Sequence, residues 1–434
     1  MSLKTKKLSK KKVLVITYYW PPAGGPGVQR WLKFVKYLPE FDIQPIVYCP
    51  YNPIYPQKDE SLLAEVSKDL IVLKQPINEP YKIANFLSKD SKTISKGIIP
   101  EEKKQSLAQK ALLFIRGNFF IPDARKHWVK PSVRYLSTYI KDFDIETIIT
   151  SGPPHSLHLI GLQLKEKTGV EWLADFRDPW TTIGYHKQLK LTNKSKSKHK
   201  ALEEKVLNTA DTIIVTSTNT KKEFSKITNK PIAVITNGYD IEKAEKTIMD
   251  SRFTVSHIGS LLSKRNPEIL WKALSELIKE NDDFAKSFKL NLVGSVGVAV
   301  LKSIEDYNLN NHLNVVGYVS HEEAVHFQKK SQVLLLIEID SIETKAIIPG
   351  KLFEYMVSER PIIAIGPQGT DVEKIIKETN TGHYFNYDAA TELKHQIFEH
   401  FNAFQQKNLK TNPIGLKKYS RKDLTKSLAQ LIVK

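Results

Sequence analysis

Cysteine is almost absent from this sequence: Cys49 is the one thiol in 434 residues. A lone thiol forms neither an intramolecular disulfide nor a cysteine zinc cluster, and that scarcity fits a reducing, cytoplasmic compartment. Cys49 ends an apolar run, so it reads as a buried structural thiol. Long hydrophobic runs are missing as well. No stretch approaches the ~18 apolar residues of a membrane span, and no apolar signal core follows the basic N-terminus. A soluble chain, or one held peripherally by its surface, is expected. Acid is scarce beside base: 47 Asp and Glu face 65 Lys and Arg, a formal net charge of +18, which favours anionic partners. Helix-turn-helix, zinc-finger and RNP-type patterns are lacking, so a nucleic acid is not the expected partner.

Part of the excess base sits in two lysine runs. Lys4, Lys6, Lys7, Lys10, Lys11 and Lys12 precede the first apolar segment, and a second run covers 187–200. Each reads as a solvated tail or loop, or as a patch for an anionic surface. Residues 105–120 carry Leu112, Leu113, Phe114, Ile115, Phe119 and Phe120 with Lys110 and Arg116. Such a segment suits an amphipathic helix lying on a membrane or a lipid-linked substrate; the simpler reading is a helix facing the core.

Alternation dominates the rest. Residues 13–19 form a short, β-branched, nearly uniform apolar run, as in a strand buried on both faces of a parallel sheet. A glycine-rich loop follows, then a helical period at Val28, Leu32, Val35 and Leu38, then a strand at 45–49. Further strands are expected at 70–73, 147–150, 170–175, 212–216 and 232–235. After the turn signal Asn237-Gly238 a second set begins, with strands at 253–258, 289–293, 313–316, 333–337 and 361–365 and helices at 267–280 and 350–357. The fold class is α/β: two Rossmann-like domains, 1–237 and 238–415, facing a central cleft. A terminal helix within 416–434 crosses back to the first.

Ligands of open parallel sheets bind where strands end, so the loops leaving strands carry the candidate sites. Gly24 and Gly25 leave the first strand and lead into a helix, where open backbone and free amides suit a phosphate or sugar hydroxyl. The spacing is neither the dinucleotide fingerprint nor a Walker loop. Ser151-Gly-Pro-Pro-His155 ends another strand, with His158 a turn further on; two histidines without a third ligand argue against metal. Asp175, Arg177 and Asp178 end a third strand, and Asp175 is expected either to pair with Arg177 or to hold a substrate hydroxyl. In the second half, Gly259 leads to Lys264 and Arg265 ahead of a helix, a diphosphate-type site in which the forked Arg265 is preferred. Gly294 and Ser295 leave the next strand. Lys351 is placed for phosphate and Glu354, a turn on, for vicinal ribose hydroxyls.

The run Pro349-Gly-Lys-Leu-Phe-Glu-Tyr-Met-Val-Ser-Glu-Arg-Pro-Ile-Ile363 resembles the signature of glycosyltransferase family four, the group one transferases of GT-B fold. The His257–Arg265 loop is similar to that family's donor-phosphate loop, and Gly24-Gly25 to its N-terminal glycine loop. Segments 151–155 and 174–180 resemble a branch among bacterial surface-polysaccharide enzymes. The resemblance implies a retaining, metal-independent hexosyl-type transfer from a nucleotide-diphosphate sugar, with no cofactor, to a glycan or lipid-linked acceptor. Arg265 and Lys351 would hold the diphosphate, Glu354 the ribose, and His155 would sit near the transferred sugar. Asp175, Arg177 and Asp178 would line the acceptor side. Two positions depart from the pattern: Ala346 stands where the family has its first glutamate, with Glu343 out of register, and Ser260 where it has an arginine. These departures leave two alternatives, an epimerase-like enzyme of the same fold and a catalytically impaired nucleotide-sugar-binding protein.

Overall fold

A computed structural model describes residues 10–79, 107–240 and 247–434. Lys4, Lys6 and Lys7, and the start of the 105–120 segment, lie outside the described residues. The chain forms two units: Met1–Thr236 with Arg421–Lys434, and Asn237–Ser420.

The first unit is built on seven parallel strands: β1 (Lys11–Ile16), β2 (Ile43–Pro50), β3 (Ile71–Gln75), β4 (Thr147–Gly152), β5 (Glu171–Phe176), β6 (Thr212–Val215) and β7 (Ile232–Val234). Their order is β3-β2-β1-β4-β5-β6-β7. The order reverses at β1, so the loops after β1 and β4 flank the point where such sheets take ligands. Val13 to Ile16 of β1 are fully buried because helices cover both faces. One cover is helix Pro26–Tyr37, begun by a proline in its first turn behind Gly25. Its Val28, Trp31, Leu32 and Val35 repeat at helical spacing and are buried. Leu424, Leu428, Ala429 and Ile432 of helix Arg421–Ile432 join the same core, and Lys11 donates to the Ile432 carbonyl at 2.6 Å. The C-terminal helix thus belongs to the first unit, while the turn Leu416–Tyr419, which the sequence grouped with it, stays with the second. Cys49 is buried, and burial pushes its thiol up to about 12, which makes it inert.

The second lysine run is not a loop. Helix Asn193–Thr209 takes in most of it, capped by Thr192, whose hydroxyl accepts from Ser195 N at 3.2 Å. Ser195, His199, Glu203, Val206 and Leu207 provide its buried face, a pattern diluted in the sequence by the lysines between them.

The second unit carries six parallel strands: β8 (Phe253–Ile258), β9 (Phe288–Val293), β10 (Leu313–Gly317), β11 (Val333–Ile337), β12 (Ile362–Ile365) and β13 (Gly382–Phe385), in the order β10-β9-β8-β11-β12-β13. β13 is absent from the sequence reading. It is short and holds a histidine and a glycine, and Gly382 is needed because any Cβ there would strike the Ile362 carbonyl of β12.

Candidate active site

In the second unit the ends of β8, β9 and β11 converge. Gly259 follows β8 with φ 115° and Gly294 follows β9 with φ 119°, values that favour glycine. A Cβ on Gly259 would lie 2.6 Å from the Lys351 ammonium, and one on Gly294 would lie 2.7 Å from the Gly259 carbonyl. The missing side chain of Gly259 leaves bare backbone beneath a cation, and that of Gly294 lets the two loops approach closely. Lys351 donates to Nε2 of His257 at 3.3 Å, and Nδ1 of His257 lies 3.1 Å from the Leu335 carbonyl. A carbonyl only accepts, so Nδ1 carries the proton and Nε2 presents its lone pair to the ammonium. Burial, then the Lys351 charge, hold His257 neutral.

Loss of hydration, reinforced by the nearby Arg265 charge, pushes Lys351 down to about 7. Arg265 ends the turn Ser263–Arg265, and its buried Nε has no hydrogen-bond partner among the described residues. Lys264 is exposed beside it. Glu338, just past β11, is the buried acid facing Arg265; burial pushes it up to about 7 against hydrogen bonds from Tyr384 at 2.8 Å and Thr370 at 3.2 Å. Gln328 holds Oε2 of Glu354 at 2.9 Å. One cation short of hydration over the open backbone of Gly259, with a second beside it that has an idle donor, forms a site suited to a polyanion.

In the first unit three loops meet above β1, β4 and β5. Arg177 donates to the Pro153 carbonyl and fills the space that a Cβ on Gly27 would take, with its guanidinium 5.6 Å from the Tyr19 ring centroid. It thereby ties the glycine loop to the Ser151–His155 loop. Gly25, with φ 95°, faces open space, whereas Gly24 packs against Gln57. His155 is buried and stacks on Trp180, ring centroids 4.7 Å apart and planes 2° from parallel. Neither of its ring nitrogens has a hydrogen-bond partner among the described residues, and burial keeps it neutral. Burial raises the Asp178 carboxyl, against the charge of Arg177.

Two family models match the sequence: Glycosyltransferase Family 4 over residues 98–243 and Glycosyl transferases group 1 over residues 252–402. The chain belongs to the family 4, group 1 glycosyltransferases. Its two parallel-sheet units are those of the GT-B fold. No curated protein matches the sequence. Among solved structures, this transferase is similar to sucrose-phosphate synthase from Thermosynechococcus elongatus, with 14% identity, 97% of this chain and 98% of that chain covered, and a TM-score of 0.60. It is similar to S. aureus TarM, solved with Fondaparinux, alpha-GlcNAc-glycerol and UDP: 12% identity, 98% and 100% covered, TM-score 0.56. It is also similar to a putative UDP-N-acetylglucosamine 2-epimerase from Listeria monocytogenes: 10% identity, 98% and 96% covered, TM-score 0.53. At such identities the likeness is one of fold.

The structure brings Gly259, Arg265, Gly294 and Lys351 of this transferase to one place, with Glu354 a turn beyond Lys351. In the other unit Arg177 joins the glycine loop, at Gly27, to the loop that ends at His155, while Gly24 packs on Gln57 and Gly25 faces open space. Asp175 is the correction. It does not pair with Arg177, and its carboxylate is already occupied: Arg30 donates through Nε at 3.2 Å and Nη2 at 2.8 Å, and Trp31 Nε1 and Ser151 Oγ each donate at 2.9 Å. Burial would raise the Asp175 carboxyl, but the Arg30 charge together with the hydrogen bonds from Arg30, Ser151 and Trp31 holds it below the usual range. Arg30 is buried on the sheet-facing side of its helix and reaches Asp175, while Arg177 is drawn to the Pro153 carbonyl. His257, Glu338 and Arg30 escaped the sequence reading. An arginine inside an apolar helical period was the available signal for Arg30, since a buried cation demands an acid. His257 opens the loop likened to a donor-phosphate loop, but its contact with Lys351, like that of Glu338 with Tyr384, joins residues far apart in the chain.

Proposed function

We propose that this chain is a retaining, metal-independent transferase that moves a hexose-type unit from a nucleotide-diphosphate sugar to a glycan or lipid-linked acceptor. One observation carries the reading: Lys351, with its charge opposed by Arg265, stands over the uncovered backbone of Gly259, on which the Gly294 loop packs closely. A diphosphate supplies Lys351 and Arg265 with countercharge beyond what Glu354 and Glu338 provide. Glu354 is assigned to the ribose through Oε1, which accepts no hydrogen bond from any described residue. Family membership supports transfer as the reaction.

Transfer with retention needs no carboxylate nucleophile. The acceptor oxygen bonds to the anomeric carbon on the face from which the diphosphate departs, and the acceptor proton passes to a leaving phosphate oxygen. Charge accumulates on that phosphate, and fixed cations stabilise it most where water is excluded. His155, neutral and with idle ring nitrogens, is assigned to the transferred sugar; Arg177 and Asp178 are assigned to the acceptor side.

Incubation with uridine, guanosine and adenosine diphosphates, followed by thermal denaturation, tests the donor half, because a ligand of the native state raises its stability. Absence of any shift with all three diphosphates and their sugar conjugates overturns it. Product analysis tests the reaction. A new glycoconjugate supports transfer, an altered free nucleotide sugar supports the epimerase-like alternative, and binding without turnover supports an impaired protein.

A further inference from the structure

Helix Leu107–Phe119 of the first unit wears its apolar side outward. Leu113 is buried against Leu189 and Leu191, and Gly117 packs tightly on the same two leucines. Positions 107, 111, 114, 115 and 119 follow the spacing of a single helical face. That face is exposed: Leu107 by 84%, Phe114 by 40%, Ile115 by 44% and Phe119 by 62%, with Ala111 between them. A helix whose large apolar groups point into solvent has its stripe turned away from the core that would normally cover it.

The C-terminal end of this helix is fastened to the start of the lysine-bearing helix. The side-chain amide of Asn118 donates to the Lys190 carbonyl at 3.3 Å, and its oxygen accepts from Thr192 N at 2.8 Å. Beyond Thr192, Lys194, Lys196, Lys198 and Lys200 are all exposed, and no acidic residue occurs between 179 and 202. The helix with the exposed apolar stripe and the acid-free lysine stretch are therefore joined at Asn118 within one unit.

We propose that this surface docks the protein on an anionic lipid bilayer, with Phe114, Ile115 and Phe119 at the headgroup–acyl boundary and the lysines among acidic headgroups. The interface of such a bilayer supplies an apolar medium and negative charge together, which a surface of this composition requires. A nucleic acid supplies the charge and leaves the aromatic stripe in water. The inference does not rest on the donor-site reading, since none of these residues belongs to it.

Flotation of the full chain with phosphatidylcholine vesicles, with and without roughly a third phosphatidylglycerol, tests it. Binding is expected only to the anionic vesicles and is expected to fall as salt rises. Phe114→Ser with Phe119→Ser, and separately the four lysines changed to glutamine, should each reduce bound protein at least several-fold. Both sets alter exposed side chains, and circular dichroism checks that they fold. Phe114→Trp should give indole fluorescence that brominated lipid quenches. No flotation with anionic vesicles overturns the proposal. So does binding that the serine variant retains in full, or an unquenched tryptophan, because contact is then electrostatic alone. Salt-sensitive binding to RNA without vesicle binding overturns it in favour of a nucleic-acid surface.

Discussion

The ammonium of Lys351 rests on Nε2 of His257 at 3.3 Å, with the imidazole fixed from behind by the Leu335 carbonyl. A cation is thereby aimed by a neutral donor-acceptor ring. A carboxylate in that place would neutralise the charge; the imidazole directs it and leaves it available to an anion.

Replacing Lys351 or Arg265 by alanine removes a charged donor to the diphosphate. Each such hydrogen bond is worth about 1.5–3 kcal/mol, so nucleoside diphosphate affinity should fall by roughly ten- to a hundred-fold in either variant, measured by titration calorimetry. Unchanged affinity in both would remove the donor site from this position.

Lys351 titrates at about 7 in the free protein, below its ordinary 10.5. An anion favours the charged form, so affinity should weaken as pH rises above 7. At pH 8 binding should take up nearly one proton, roughly 0.9 per site, seen as a dependence of the calorimetric enthalpy on buffer ionisation. The stability consequence runs the other way. Between pH 7 and 10.5 the unfolded chain binds more protons at this group than the folded one, so this lysine makes the unliganded protein more stable as pH rises through that window.

Gly259→Ala and Gly294→Ala should differ. Both force a positive φ on a side chain, a strain of about 1–3 kcal/mol. At Gly259 the new methyl meets the mobile end of Lys351, so folding should survive while diphosphate affinity drops. At Gly294 it meets the backbone carbonyl of Gly259, which has no room to give. Thermal denaturation of the two variants should show the larger loss at Gly294.

His155→Phe keeps an aromatic ring against Trp180 and deletes both ring nitrogens. Diphosphate affinity should be unchanged, while transfer should fall by about a hundred-fold or more, as when a single polar contact to a reacting group is lost. Single-turnover transfer beside calorimetry separates the two; equal loss in both would deny His155 a role in transfer.

Asp175→Ala should leave Arg30 charged and buried without its partner, at a cost of about 3–5 kcal/mol. Replacing both residues by apolar ones of similar volume should recover much of that. If Asp175→Ala is instead as stable as the parent by denaturant titration, the carboxylate is not the structural pin described here.

The two α/β sets are legible without coordinates, because a strand covered on both faces must be apolar throughout, as 13–16, 333–337 and 362–365 are. Where the phosphate-type residues sit is legible in the same way, since glycines at strand ends and the Pro349–Glu354 run are local patterns. Tertiary structure alone decided that Asp175 binds Arg30 and that His257 steers Lys351. Those partners lie 145 and 94 residues apart, and a buried charge takes whichever partner packing brings nearest. It also turned the apolar stripe of helix Leu107–Phe119 outward: helical spacing shows that a face exists, but only the neighbours that occupy the other side, here Leu189 and Leu191, decide which way it points.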